Sequence, residues 1–123
     1  MKSRPAELRR LLGTVKELEL ANLSRVAAEF DVISDRLNHL RGARSQHHND
    51  TTTIGTIAPS TLSGADQKWG LWLEGEIRKT NAALALVAAR KEQQIQQARI
   101  ALGRVRAMDG VIRKLARRGG STT

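Results

Sequence analysis

Apolar residues in the first half of the chain recur with a helical beat. From Leu23 they fall at Val26, Phe30, Ile33, Leu37 and Leu40, in alternating steps of three and four. That spacing gathers them into one narrow seam on a helix, as in a coiled coil, rather than into the broader stripe of a globular helix. Upstream, Leu8, Leu12 and Val15 continue the run, but the phase is nearer an eleven-residue repeat and Glu19 falls in the seam. Such a phase straightens or locally loosens a supercoil. Ser3, Pro5 and Glu7 make a helix start, because proline is tolerated in a first turn. A first helix is therefore expected over about residues 4–48.

The beat returns later in the chain. It runs from Ile77 through Thr80, Leu84, Val87, Ala98, Ala101 and Val105 to Met108, Ile112 and Leu115, with Lys91 and Gln94 as polar members. Residues 49–64 interrupt it. Thr, Ser and Gly dominate there, with Pro59, and the stretch reads as a loop. Ser63-Gly64-Ala65-Asp66 is similar to a capping box, and Gly119-Gly120 supplies a stop. A second helix is expected over about 65–118, followed by a tail at 119–123. The expected fold is all-α: one domain, residues 1–123, forming a long two-helix antiparallel coiled-coil hairpin with the second helix longer than the first.

The two seams can be laid against each other. With the chain folded back so that His47 faces Ala65, facing residue numbers sum to about 112. Leu40 then meets Trp72, Val26 meets Leu86 or Val87, and Leu12 meets Ala101. The polar interruption at Glu19 and Asn22 lands on the one at Lys91 and Gln94. Buried polar residues fix register in coiled coils at some cost in stability, so Glu19 and Lys91 are expected to form a register-setting pair. The same register leaves residues 108–118 projecting beyond the first helix, with the apolar side chains of Met108, Ile112 and Leu115 uncovered.

Composition narrows the function classes. Hydrophobic residues make up 40% and aromatic residues 2%, with no Tyr. Bulky side chains for a wide, multilayered core are missing, which disfavours a β-sandwich or an α/β enzyme. There is no Cys, so disulfides, thiolate metal sites and a Cys nucleophile are excluded within the sequence. No apolar run approaches the roughly 20 residues of a membrane span, and no h-region follows the N-terminus. The expected location is the cytoplasm.

Charge changes the picture most. Of the net +9, residues 1–16 hold five basic residues against one acidic, and residues 90–118 hold nine against two. Residues 17–89 hold seven basic against nine acidic. A hairpin brings the two basic stretches to one end, which attracts an acidic protein surface, nucleic acid or anionic lipid through the same field. Basic faces can equally serve only to keep a coiled coil soluble.

Candidate chemistry is sparse. His39, His47 and His48 are the histidines, and the adjacent pair diverges by roughly 100° on a helix, unlike a zinc-binding i,i+4 pair. They read as solvated polar residues. No triad and no phosphate loop is present, so no catalytic residue, cofactor or metal is expected. Trp69 and Trp72 share one side of the second helix with Leu73 and Glu76. Either they close off the hydrophobic end of the hairpin, or at least one is exposed as a binding anchor, a role in which Trp is enriched. Nucleic-acid readout needs aromatics or a recognition motif among the charges, and the basic end has neither.

The segment Asp66-Gln67-Lys68-Trp69-Gly70-Leu71-Trp72-Leu73-Glu74-Gly75-Glu76-Ile77 resembles the entry into the second helix of the FliJ family of flagellar and virulence type III export components. The plan of a shorter first helix, a polar loop and a longer, basic-ended second helix resembles that family too. The resemblance implies a non-catalytic stalk, peripheral at the cytoplasmic side of the inner membrane through its partners. Its termini would enter a hexameric export ATPase, and its tip region would contact an export gate and export chaperones. Carried onto this chain, the ring-binding residues are Arg9, Arg10, Arg104, Arg106, Arg113, Arg117 and Arg118, with Met108, Ile112 and Leu115. The gate-contacting residues are Leu37, Leu40 and Arg44 on the first helix, and Trp69, Trp72, Leu73, Glu76 and Thr80 on the second. A generic cytoplasmic coiled-coil adaptor, or a basic nucleic-acid-associated hairpin, are the alternative readings.

Overall fold

A computed structural model of the chain describes residues 3–52 and 64–121. Helix α1 spans Ser3–Thr52 and helix α2 spans Ala65–Ser121. Among the described residues there is no strand. The helices pack antiparallel as a hairpin with α2 the longer. Glu19 of α1 meets Gln94 of α2, and Arg36 meets Glu76. These pairs lie within one residue of the facing register expected from the seams.

Both helices outrun their expected ends. Residues 49–52 are helical rather than loop. Gln46 Nε2 donates to Asp50 Oδ1 at 3.1 Å, an i,i+4 pair that supports the last turn, and nothing in Asn49-Asp50-Thr51 forbids helical backbone. The rest of the expected loop, with Ser63 of the capping box, lies outside the described residues. At the other end α2 continues through Gly119 and Gly120 to Ser121. A glycine stop needs a left-handed residue. Among the described residues only Gly64 has a positive φ, so Gly119 and Gly120 carry helical backbone instead. Gly64, at φ +79°, is the turn into α2, and its carbonyl accepts the N–H of Lys68 at 3.1 Å. Only glycine adopts that backbone without a steric penalty.

The chain forms two compact units, each built from a piece of both helices. The unit of residues 28–89 has the fuller core. Leu37, Leu73 and Ile77 are buried, with Leu40, Ala43 and Leu84 packed against them. Thr80 and Val87 are also buried. A threonine is tolerated in that seam because its Oγ1 donates to the Glu76 carbonyl at 2.7 Å, so no polar atom is left unpaired.

The unit of residues 1–27 and 90–123 has a thinner seam. Ala98 and Ile112 are buried, while Leu12, Leu23, Val26, Ala101 and Val105 are half-buried. The expected overhang does not hold for Ile112, which is only 2% exposed. Ile112 follows Val105 by one heptad and keeps its place on the seam face, where it is covered; the phase of α2 changes at its neighbours. Two successive four-residue steps, Ala101 to Val105 to Asp109, replace the step to Met108. They turn Asp109 toward α1 and leave Met108 and Leu115 outward, where both are exposed. Arg9 of α1 reaches Asp109 at 4.0 Å, so α1 extends alongside this part of α2. No described helix is long and apolar enough to cross a membrane.

Candidate partner-binding surfaces

The residues singled out near the hairpin tip divide between core and surface. Leu37, Leu73 and Thr80, expected at a partner-contacting face, are interior. Leu73 is 1% exposed, and the 3–4 spacing that makes it helical also points it at α1. These three support a surface but cannot form one, which corrects the assignment carried over from the resemblance. Leu40 is half-buried beside them.

The tryptophans face outward. Trp69 is 41% exposed and Trp72 55% exposed, so the two-helix seam does not close over either indole. Trp69 packs on the ring of His47, with centroids 4.7 Å apart and planes tilted by 58°. His47 is thereby half-buried rather than solvated as expected. His47 also lies over Gly70, where a Cβ would stand in ordinary contact, 3.4 Å from His47 Nε2. His47 follows Leu40 by one heptad, a signal for an inward position that the His-His dipeptide obscured. A cleft of about 760 Å³ opens beside this pair, lined by residues that include Arg44, His47, Gly70, Leu73 and Glu74. Leu71, 73% exposed, stands at its edge.

Ion pairs edge the same unit. Arg44 Nη1 lies 3.6 Å from Glu74 Oε1. Glu76 is held between two cations, Arg36 Nη2 at 3.3 Å across the helices and Lys79 Nζ at 3.6 Å along α2. Glu76 is thus engaged within the hairpin, and its outward partner is a lysine of its own helix. The cationic side chains are largely exposed, so each pair adds little to stability and mainly favours this register.

In the chain-end unit, the residues expected to bind a ring are nearly all on the surface. Arg9, Arg10, Arg104, Arg106, Arg113, Arg117 and Arg118 are exposed, as are Met108 and Leu115. Ile112 is the exception, being core. Asp109 takes two of the cations: Arg113 Nη2 at 2.9 Å within α2, and Arg9 across the helices. The polar layer of the seam is present, with Gln94 as a partner of Glu19. Gln94 Nε2 donates to Glu19 Oε2 at 2.9 Å, and Lys91 is half-buried one turn before Gln94. Among the described residues no buried side-chain N or O atom lacks a hydrogen bond, and no group of three or more His, Asp or Glu is placed to hold a metal ion.

Compared with known proteins, no family model matches this sequence, and neither a curated protein nor a solved structure matches it.

Proposed function

We propose that this protein works by binding rather than by catalysis, as a coiled-coil component of a FliJ-like protein export apparatus. In this reading its chain-end unit engages a hexameric export ATPase, and its tip unit engages an export gate and export chaperones. The observation that carries the proposal is the division of charge between the two units. Residues 1–27 and 90–123 hold fifteen basic residues against five acidic, while residues 28–89 hold six against seven. Such a field steers an acidic surface to one unit and leaves the other to bind by shape and apolar contact. The exposed indoles of Trp69 and Trp72 are suited to the second task. The likeness of residues 66–77 to the FliJ helix entry supplies the identity of the partners.

The test is a pull-down of an export ATPase by the purified chain, run together with an ATP-turnover assay. The expected result is salt-sensitive capture and faster turnover. Absence of both overturns the export reading. Retention on DNA with a steep salt dependence, in place of ATPase capture, would assign the basic unit to nucleic acid instead.

A further inference from the structure

The chain-end unit carries more large apolar side chains outside its seam than inside it. Each seven-residue repeat can be written a to g, with the seam at a and d. Leu23 and Ala98 are then a positions, and Leu12 and Ala101 are d positions. On α1, Leu8 and Val15 fall at g, and Leu11 and Leu18 fall at c. Their exposure runs from 39% to 62%. On α2, Ile100 falls at c and Val111 at g, with Met108 and Leu115 rotated to the same side by the phase change after Val105. These run from 42% to 57% exposed.

The two stripes share one flank. In an antiparallel pair the g positions of both helices border the same side, and the e positions border the other. Burial agrees on α2, where Ile95, Leu102 and Asp109 at e are half-buried and Val111 at g is exposed. On α1, Leu8 and Val15 at g are exposed, with Leu20 at e exposed as well and Asn22 at g half-buried. Helix α2 has rolled toward its e side and opened its g side, next to the exposed g positions of α1.

The charges on that flank have one sign. Over residues 4–25 and 97–118, the c and g positions hold Arg4, Arg25, Arg104, Lys114 and Arg118 and no Asp or Glu. The acidic residues of the unit, Glu7, Glu17, Glu19, Glu92 and Asp109, all sit at b, d, e or f. A second copy of this chain would bring arginine against arginine. An acidic amphipathic helix would bring carboxylates against the arginines while covering the leucines.

We infer that the g flank of the chain-end unit, formed by Leu8, Leu11, Val15 and Leu18 with Ile100 and Val111, docks an acidic amphipathic helix of a partner protein to make a three-helix bundle. The occupant recognised here has apolar residues at i, i+3, i+4 and i+7 with Glu or Asp beside them. The inference needs no export ATPase and stands or falls separately from the export reading.

The test titrates the full chain into two labelled helical peptides of about three heptads. Both carry Leu at the seam positions. One carries Glu at the flanking positions, and the other carries Lys there. Anisotropy is expected to show binding of the Glu peptide, weakened by salt, and binding at least about tenfold weaker for the Lys peptide. Leu11→Asp with Val111→Asp should lower affinity for the Glu peptide by about tenfold or more while helical circular dichroism persists, since both side chains are exposed. Arg104→Glu, a milder surface change, should weaken the Glu peptide and favour the Lys peptide. Equal binding of both peptides, binding of neither, or sedimentation of the chain alone as a dimer that Leu11→Asp dissociates would each overturn the inference.

Discussion

Replacing Leu73 with Ala tests the phase of α2 most directly, because its neighbour in sequence supplies the control. Leu73 is 1% exposed against Leu37 and Ile77, whereas Leu71 is 73% exposed. Truncation at residue 73 removes buried carbon worth about 2 kcal/mol of transfer free energy at about 0.8 kcal/mol per methylene. A residual cavity adds to that, and buried Leu→Ala changes span about 2–5 kcal/mol. A two-helix interface has solvent close on both flanks, so the walls can close partly, and the expected cost is about 2–3 kcal/mol. Leu71→Ala should stay within about 0.5 kcal/mol of the parent, as exposed substitutions do. Urea unfolding followed by circular dichroism reads both as shifts of midpoint with an unchanged slope. Equal costs, or the larger cost at Leu71, would refute the placement of Leu73 in the core. A partner-binding defect in Leu73→Ala would then need comparison with its stability before any contact is assigned to it.

Three further outcomes are expected. Gly64→Ala should destabilise by about 1 kcal/mol, because a Cβ is disfavoured at φ +79°. Gly75→Ala, in mid-helix with nothing within 4 Å of the new Cβ, should stabilise by about 0.5–1 kcal/mol; thermal melts of the two variants separate the signs. A double-mutant cycle on Glu19→Ala and Gln94→Ala should give a coupling of about 0.5–1.5 kcal/mol, and a coupling near zero would remove their bond from the account of register.

Much of this architecture is written in the spacing of Leu23 through Leu40 and of Ile77 through Val105. A 3–4 alternation sustained over several heptads admits few structures besides a coiled coil, and two such runs around a polar break fold back on each other. What the spacing does not carry is rotation of a helix about its own axis. The step from Val105 to Asp109 rather than Met108 decides that Met108 and Leu115 are surface, and an aspartate at a seam edge is not an apolar signal. Burial of Leu37, Leu73 and Thr80 was legible from the same seam, and only the roles carried over from a resemblance set them on a surface. His47 was hidden by its composition. Its inward position follows from the heptad, but its packing on the Trp69 ring is a contact between helices that spacing within one helix does not carry.

The two units place their apolar residues to different ends. In residues 28–89 the large aliphatic side chains Leu37, Leu73 and Ile77 point inward and hold the helices together. In the chain-end unit the seam contains Ile112, Ala98, Ala101 and the Glu19–Gln94 bond, while Leu11, Leu18, Ile100 and Leu115 point outward, as Val32, Leu71 and Leu86 do in residues 28–89. Cohesion and recognition are therefore encoded at different positions. A polar substitution at Leu37 should unfold its unit and lower binding only as a consequence. A polar substitution at Leu11 should leave the isolated protein as stable as before, or more soluble, and still abolish docking on the g flank. A thin seam beside an open apolar flank is weak on its own and becomes well packed only when a third helix covers it. That thin seam makes the chain-end unit a part of this protein whose stability should rise clearly when a third helix docks on it.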